Sequence, residues 1–230
     1  MKVGAIIAAA GVGRRMKADR PKQLLVLDDT PILIYTLRKF DKCAVIDHMI
    51  VAAPHDAVEE IRELVRGARL KKKVTVVEGG ERRQDSVAIA MQHLEPDTNI
   101  VAVHDAVRPF VTVAEIEAVV AEAEAKGAAI LAIPIVDTVK QVERDQVELT
   151  VTREHLVLAQ TPQVFRIEVL REAFEQARKD EYYGTDESSL VERINGTVSI
   201  VRGSERNIKI TRPSDFTLAR AFLEEERATS

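Results

Sequence analysis

Tryptophan is absent from this 230-residue chain, cysteine occurs once, and aromatic residues make up only 4%. A lone Cys43 excludes an internal disulfide framework and a multi-thiolate metal site. It reads as a buried or inert thiol in a reducing compartment, so a cytoplasmic location is expected. No apolar run approaches the ~18 residues of a membrane span. The run in "MKVGAIIAAAG" is interrupted by Gly-Val-Gly-Arg-Arg too soon for a signal-peptide core, and reads as a buried first strand. An excess of basic charge is also missing: 33 Lys and Arg stand against 37 Asp and Glu, a formal net charge of −4. No nucleic-acid partner and no membrane partner is therefore expected, and any anion site must be local. Repeats, low-complexity tracts and Pro/Ser-rich linkers are lacking too, and the short basic run Arg69–Lys73 reads as a solvated helix end.

What is present is ordinary soluble composition, 46% hydrophobic and 30% charged, in a chain long enough to bury roughly 70–75% of its unfolded surface. Short β-branched runs at Ala5–Ala9, His48–Ala53, Val74–Val77, Ile100–Val103, Ala128–Ile133 and Val198–Val201 alternate with helical patterns. Such alternation predicts an α/β fold, a mostly parallel sheet with helices on both faces. Helical periodicity is clearest over Val113–Ala125 and Val169–Arg178, and Pro31 suits a first helical position. One segment breaks the pattern: "VDTVKQVERDQVELTVTREHLVLAQTPQ" has two β-prone stretches around the polar Glu143–Gln146, which predicts a protruding hairpin. Strand edges on such an arm need cover, and dimerisation supplies it. The expected organisation is a single domain, 1–230, with 137–160 as a dimerisation arm.

The stretch "AAAGVGRRMKADRPKQLL" puts two glycines and five basic residues in the turn after the first strand. In an open α/β sheet that turn lies at the carboxyl end, where ligands bind. Gly11 and Gly13 lack the third glycine of a dinucleotide fingerprint, and no Gly-Lys-Ser/Thr follows for a Walker A loop. Taken alone, the loop is either a polyphosphate site or a solvated turn. "VHDAVRPF" places Asp105 and Arg108 at the end of the fourth strand, so Asp105 is either a Mg²⁺ ligand beside substrate phosphates or the cap of the following turn. His104 reads as a packing or hydrogen-bonding residue. "GGERRQDSV" carries a glycine pair entering a helix with Ser86 inside its first turns, and "YYGTDESSL" offers Thr185 as a helix N-cap followed by first-turn acids.

Together, "AAAGVGRRM", "PKQ", "GGERRQDS", "HDAVRP", "DTVK", "TPQ", "TDESS" and "NIKITRP" resemble, in order and spacing, the 2-C-methyl-D-erythritol 4-phosphate cytidylyltransferases of the non-mevalonate isoprenoid pathway. The resemblance spans nearly the whole chain and implies a Rossmann-like nucleotidyltransferase fold. It implies attack of the substrate 4-phosphate on the α-phosphorus of CTP, with release of pyrophosphate and no covalent protein intermediate. Carried onto this sequence, it makes Arg15 and Lys22 the pair that stabilises the α-phosphate transition state, with Ala10–Gly13 (including Gly11) around the triphosphate and Asp105 on Mg²⁺. Ala9, Gly80, Glu81 and Ser86 match positions around cytosine, and Ala106 lies near the ribose. Arg108, Thr138, Arg153, Thr161, Thr185 and Lys209 match positions around methylerythritol phosphate, with Arg153 and Lys209 aiming its phosphate. Thr138 and Arg153 would come from the partner subunit of a homodimer. Arg14, Lys17 and Arg20 read as solvated neighbours. Two alternatives stand beside this reading. Ribitol 5-phosphate cytidylyltransferases resemble the chain through "PKQ", "HDAVRPF" and "TPQ", whereas "AAAG", Lys140 and Thr185-Asp186 favour methylerythritol phosphate. A nucleotide sensor without turnover would need the loop but not the full set Arg15, Lys22, Asp105 and Lys209.

Overall fold

The computed structural model describes residues 1–11 and 21–228. Among the described residues the chain runs β1 (Val3–Ala8), a 3-10 turn (Lys22–Leu24), β2 (Val26–Leu27), β3 (Thr30–Pro31), α1 (Ile32–Lys42), β4 (His48–Ala53), α2 (Val58–Gly67), β5 (Lys73–Glu78), α3 (Arg83–Met91) and β6 (Ile100–Asp105). It continues through α4 (Val113–Lys126), β7 (Ala128–Pro134), β8 (Val139–Glu143), β9 (Gln146–Val151), β10 (Val157–Arg166), α5 (Ile167–Lys179), α6 (Glu187–Arg193), β11 (Ser199–Arg202) and α7 (Pro213–Ala228). The main sheet has the order β11-β7-β10-β6-β1-β4-β5. It is parallel throughout except for β10, which runs antiparallel to both β6 and β7.

The strands form where the sequence offers continuous apolar runs, because a sheet covered on both faces must bury both sets of side chains. Alternation then sorts them into two layers. Val3, Ala5 and Ile7 of β1, with Met49, Val51 and Ala53 of β4, pack in the layer of α1, α2 and α4. Ile6, Ile50, Ala52, Val101 and Val103 face the opposite layer, under α3, α5 and α6. A third cluster joins Leu27, Ile32, Val107, Phe110 and Ile210 to Ala219 and Leu223 of α7. The boundaries of α4 are set locally: Thr112 Oγ1 accepts the Glu115 amide at 3.1 Å, the Glu115 carboxylate accepts the Thr112 amide at 2.8 Å, and Gly127 takes φ 99° at the far end.

Several details depart from the sequence reading. Pro31 caps α1 rather than entering it, since its ψ of 142° is extended and helical geometry begins at Ile32. The cap of α6 is Asp186, whose carboxylate accepts the Ser189 amide, and not Thr185. The first strand ends at Ala8, so Ala9 already belongs to the loop at the sheet's carboxyl edge. The hairpin is β8 and β9, which among the described residues pair only with each other and turn at Arg144 (φ 47°) and Asp145 (φ 66°), while Val157–Gln160 already belongs to β10 in the main sheet.

Candidate active site

The loops leaving β1, β5 and β6 meet at one edge of the sheet and line a cleft that opens to solvent. Each wall has a local cause. Gln23 is buried and its amide donates to the Ala9 carbonyl, which ties Lys22 to the end of β1. On the opposite wall, Gly80 N donates to Ser86 Oγ at 3.1 Å and that hydroxyl donates to the Arg82 carbonyl at 2.9 Å. Gly79 lies so close that a Cβ there would stand 2.5 Å from the Ala10 Cβ and 2.8 Å from Ser86 Oγ. Only glycine lets the two loops approach in this way.

The floor is charged. Among the described residues three cationic groups surround the Asp105 carboxylate: Lys209 Nζ at 2.7 Å from Oδ2, Arg108 Nε at 3.6 Å from Oδ2, and Arg83 Nε at 3.2 Å from Oδ1. Arg83 Nη1 also lies 2.7 Å from each oxygen of Glu187, whose side chain is 1% exposed. Burial by itself would raise the Asp105 pKa, but Arg83, Lys209 and Arg108 hold it well below the usual carboxylate range. Burial pushes the Glu187 carboxyl up and the Arg108 guanidinium down.

Lys209 is brought to Asp105 by the segment before α7. The buried Asn207 donates to the Thr161 carbonyl at 2.9 Å and its own carbonyl accepts Arg108 Nη1 at 2.7 Å, while Ile210 N donates to Val107 O at 2.9 Å. Behind Asp105, Thr161 Oγ1 accepts the Asp105 amide at 3.0 Å. Glu187 is placed through Gln163, which donates to Asp186 at 2.7 Å and accepts the Ser188 amide at 3.0 Å. The "TPQ" and "TDESS" segments are thus fastened together.

The cleft gathers Ala9, Ala10, Gly11, Lys22, Gly80, Glu81, Ser86, Asp105, Ala106 and Lys209. Arg108 lies beneath it against Asp105 and Thr161 is buried behind it, both already engaged. Thr185 is exposed ahead of α6. Thr138 and Arg153 are exposed at the root of the hairpin, where Arg153 donates to the Val136 carbonyl, and neither lines the cleft of its own chain. Gly13 and Arg15, with Arg14, Lys17 and Arg20, lie outside the described residues. Reading the sequence missed Gln23, Arg83, Gln163, Glu187 and Asn207. One signal was available, since an arginine in the first turn of a helix opposes the helix dipole and calls for nearby acids.

Among the described residues no cluster of three His, Cys, Asp or Glu side chains could cage a metal ion. The donor set nonetheless fits Mg²⁺ in a shared site: it is one ionised carboxylate in a cleft open to phosphate, and Mg²⁺ takes few protein carboxylates beside phosphate oxygens and water. No helix among the described residues is long and apolar enough to cross a membrane.

Residues 3–225 match a family model described as 2-C-methyl-D-erythritol 4-phosphate cytidylyltransferase. The chain is 49% identical over 241 residues to the protein of that name from Solibacter usitatus, covering 100% of this chain and 99% of the relative. It is 42% identical to the one from Syntrophus aciditrophicus, covering 98% and 97%. Among solved structures it is similar to 4-diphosphocytidyl-2C-methyl-D-erythritol synthase from Anaerococcus prevotii, with a TM-score of 0.85 at 28% identity over 97% of this chain and 98% of that one. The cytidylyltransferase from Thermus thermophilus superposes with a TM-score of 0.81 at 32% identity, over 96% and 98%.

Proposed function

The chain belongs to the 2-C-methyl-D-erythritol 4-phosphate cytidylyltransferase family, and we propose that the cleft at the carboxyl edge of its sheet is where it carries out that chemistry. The reaction transfers CMP from CTP to methylerythritol 4-phosphate, giving 4-diphosphocytidyl-2-C-methyl-D-erythritol and pyrophosphate. The observation that carries the placement is the Lys209 and Asp105 ion pair at 2.7 Å, set among Arg83, Arg108 and Lys22 in a cleft edged by glycine loops.

Two anionic substrates must meet, and charge grows on the α-phosphate oxygens and the leaving pyrophosphate during in-line displacement, so fixed cations supply the main catalytic contribution. Lys22 and Arg15 are assigned to the α-phosphate, and the stretch Ala10–Gly13 to the triphosphate. Ala9, Gly80, Glu81 and Ser86 surround cytosine, and Ala106 lies by the ribose. The Ser86 hydroxyl holds the Gly80 amide in place, so it shapes the base pocket as well as lining it. Asp105 is the carboxylate toward Mg²⁺, which when bound neutralises charge on phosphate oxygens. Lys209, Arg108, Thr161 and Thr185 serve the methylerythritol phosphate side, Thr161 by fixing the Asp105 backbone.

The remaining members of that set, Thr138 and Arg153, would reach the cleft of the other subunit in a homodimer built on the arm. Val136, Val142, Val147, Leu149, Val157 and Leu158 are exposed on the arm and its root, and a lone two-stranded hairpin is marginal in water. A cytoplasmic location goes with this reading, since Cys43 is a free, buried thiol.

The test is a substrate panel on the purified protein with CTP and Mg²⁺. Pyrophosphate release that depends on methylerythritol 4-phosphate is expected. Release with ribitol 5-phosphate alone, or CTP binding without release, overturns the assignment.

A further inference from the structure

Glu187 is a buried carboxylate to which the reading above gives no task. It occupies the first turn of α6, where an acid gains from the helix dipole even when it remains in water. Here it is removed from water and must be paired. Arg83 sits in the first turn of α3, where the dipole disfavours a cation. Each residue gives up a local preference, and the two converge on a third: Glu187 holds Arg83 Nη1 through both oxygens at 2.7 Å, and Arg83 Nε reaches Asp105 Oδ1 at 3.2 Å.

We propose that Glu187 and Arg83 form a positioning pair that pins one oxygen of Asp105, Oδ1, so that the other, Oδ2, exchanges its partner while the carboxylate stays aimed into the cleft. The inference rests on the reading that Asp105 faces Mg²⁺ and Lys209 the substrate phosphate. In the free protein the short contact to Oδ2 is that of Lys209 at 2.7 Å, a flexible amine whose side chain is 36% exposed on an irregular segment, with Arg108 Nε farther off at 3.6 Å. Lys209 must release Oδ2 to meet a phosphate. Arg83 cannot follow it, because a guanidinium gripped by a buried carboxylate is fixed in plane and direction. Without that grip, Asp105 would keep only Arg108 Nε, 3.6 Å from Oδ2 and beyond hydrogen-bonding distance, and could rotate among its side-chain rotamers at the moment Lys209 leaves. A displacement of about 1 Å at a reacting centre costs on the order of 10²-fold in rate.

Three variants test the pair. Glu187→Gln keeps the shape and Arg83 but loses the charged grip. It is expected to lower kcat about 10- to 100-fold, the range for residues that orient a metal ligand, while KM for methylerythritol 4-phosphate moves less than about threefold. Mn²⁺ titrated with CTP, free metal being read by electron paramagnetic resonance, should bind about tenfold more weakly to this variant. Arg83→Met combined with Glu187→Leu replaces the ion pair by apolar side chains, which restores stability where a single substitution would strand a charge. Its melting temperature should stay within a few degrees of the parent while kcat stays low. A double variant that recovers both stability and turnover, or a Glu187→Gln protein with unchanged Mn²⁺ affinity, overturns the inference. Asp105→Asn separates the two levels. If it keeps turnover, the placement of Asp105 fails and the inference fails with it; if it loses turnover while Glu187→Gln and the double variant keep theirs, the positioning pair alone fails.

Discussion

His104 Nδ1 lies 3.1 Å from Thr161 Oγ1, and the hydroxyl is the donor of that bond, because His104 Nε2 faces the Arg108 carbonyl at 3.0 Å and must carry the ring proton. Thr161 can then accept the Asp105 amide, so a neutral imidazole backs the carboxylate through one hydroxyl. Protonating the ring would leave Thr161 Oγ1 facing a second donor.

Stability should therefore fall on mild acidification. Burial pushes the His104 pKa down to about 4 from an ordinary 6.5, so between these values the unfolded chain binds a proton that the folded one refuses. Stability is full above about 6.5 and is lost toward pH 4, at up to about 1.4 kcal/mol per pH unit. Burial lowers the His48 pKa as well and adds in the same direction. Urea unfolding from pH 4.5 to 7.5 checks this, with His104→Gln expected to show a shallower slope. Equal slopes would remove His104 as the cause.

Lys22→Ala and Lys209→Ala should each lower turnover roughly 10²–10³-fold, as for loss of one charge-stabilising donor. The same loss is expected of Arg15→Ala. Steady-state pyrophosphate release measures it, with circular dichroism confirming the fold. Near-normal turnover in the folded variants would refute their assignment to the phosphates.

Gly79→Ala should weaken CTP without disturbing the rest of the sheet. The new methyl group meets the Ala10 Cβ at 2.5 Å, so the two loops that flank the proposed base pocket must separate. Overpacking of this kind costs about 1–3 kcal/mol, which corresponds to roughly 10- to 100-fold in affinity. Calorimetric titration with CTP reads it directly, and unchanged binding would show that the loops can part freely.

Val147 and Leu149 alternate along β9 and share a face of the hairpin, where they are 61% and 45% exposed. On the proposed arm-built homodimer, replacing both with lysine should give a monomer in sedimentation velocity and depress turnover together with it, since the proposal has Thr138 and Arg153 reach a neighbouring cleft. A variant that is monomeric and fully active would detach the arm from catalysis.

The strand positions were readable wherever both faces are covered, because such a strand is a continuous apolar run: His48–Ala53 has the same limits in sequence and structure. β10 was harder. "VLAQTPQVFR" mixes polar residues and a proline into its run, so its first half reads as arm although it pairs with Ile133 and Ala132 of β7. Lys22 and Asp105 are conspicuous in the sequence because charge in a glycine-bearing turn or at a strand end stands out locally, whereas Lys209 reads by itself as a solvated lysine and gains a role only through the family resemblance. Arg83 and Glu187 did not, since each looks like an ordinary first-turn residue, and their meaning arises only when helices 104 residues apart are brought into contact.

β10 carries the root of the arm at Val157 and the anchor of α6 at Gln163 on one ten-residue strand. Changes in chain length are therefore tolerated unequally on its two sides. Residue pairs added at the Arg144 and Asp145 tip lengthen the hairpin into solvent and leave the cleft as it was. A single residue added after Pro162 exchanges Gln163 and Val164 between the two helical layers, cutting Asp186 from its support and turning an amide into the apolar core. The outer end of the arm is free to vary in size, whereas its root works as a fixed ruler.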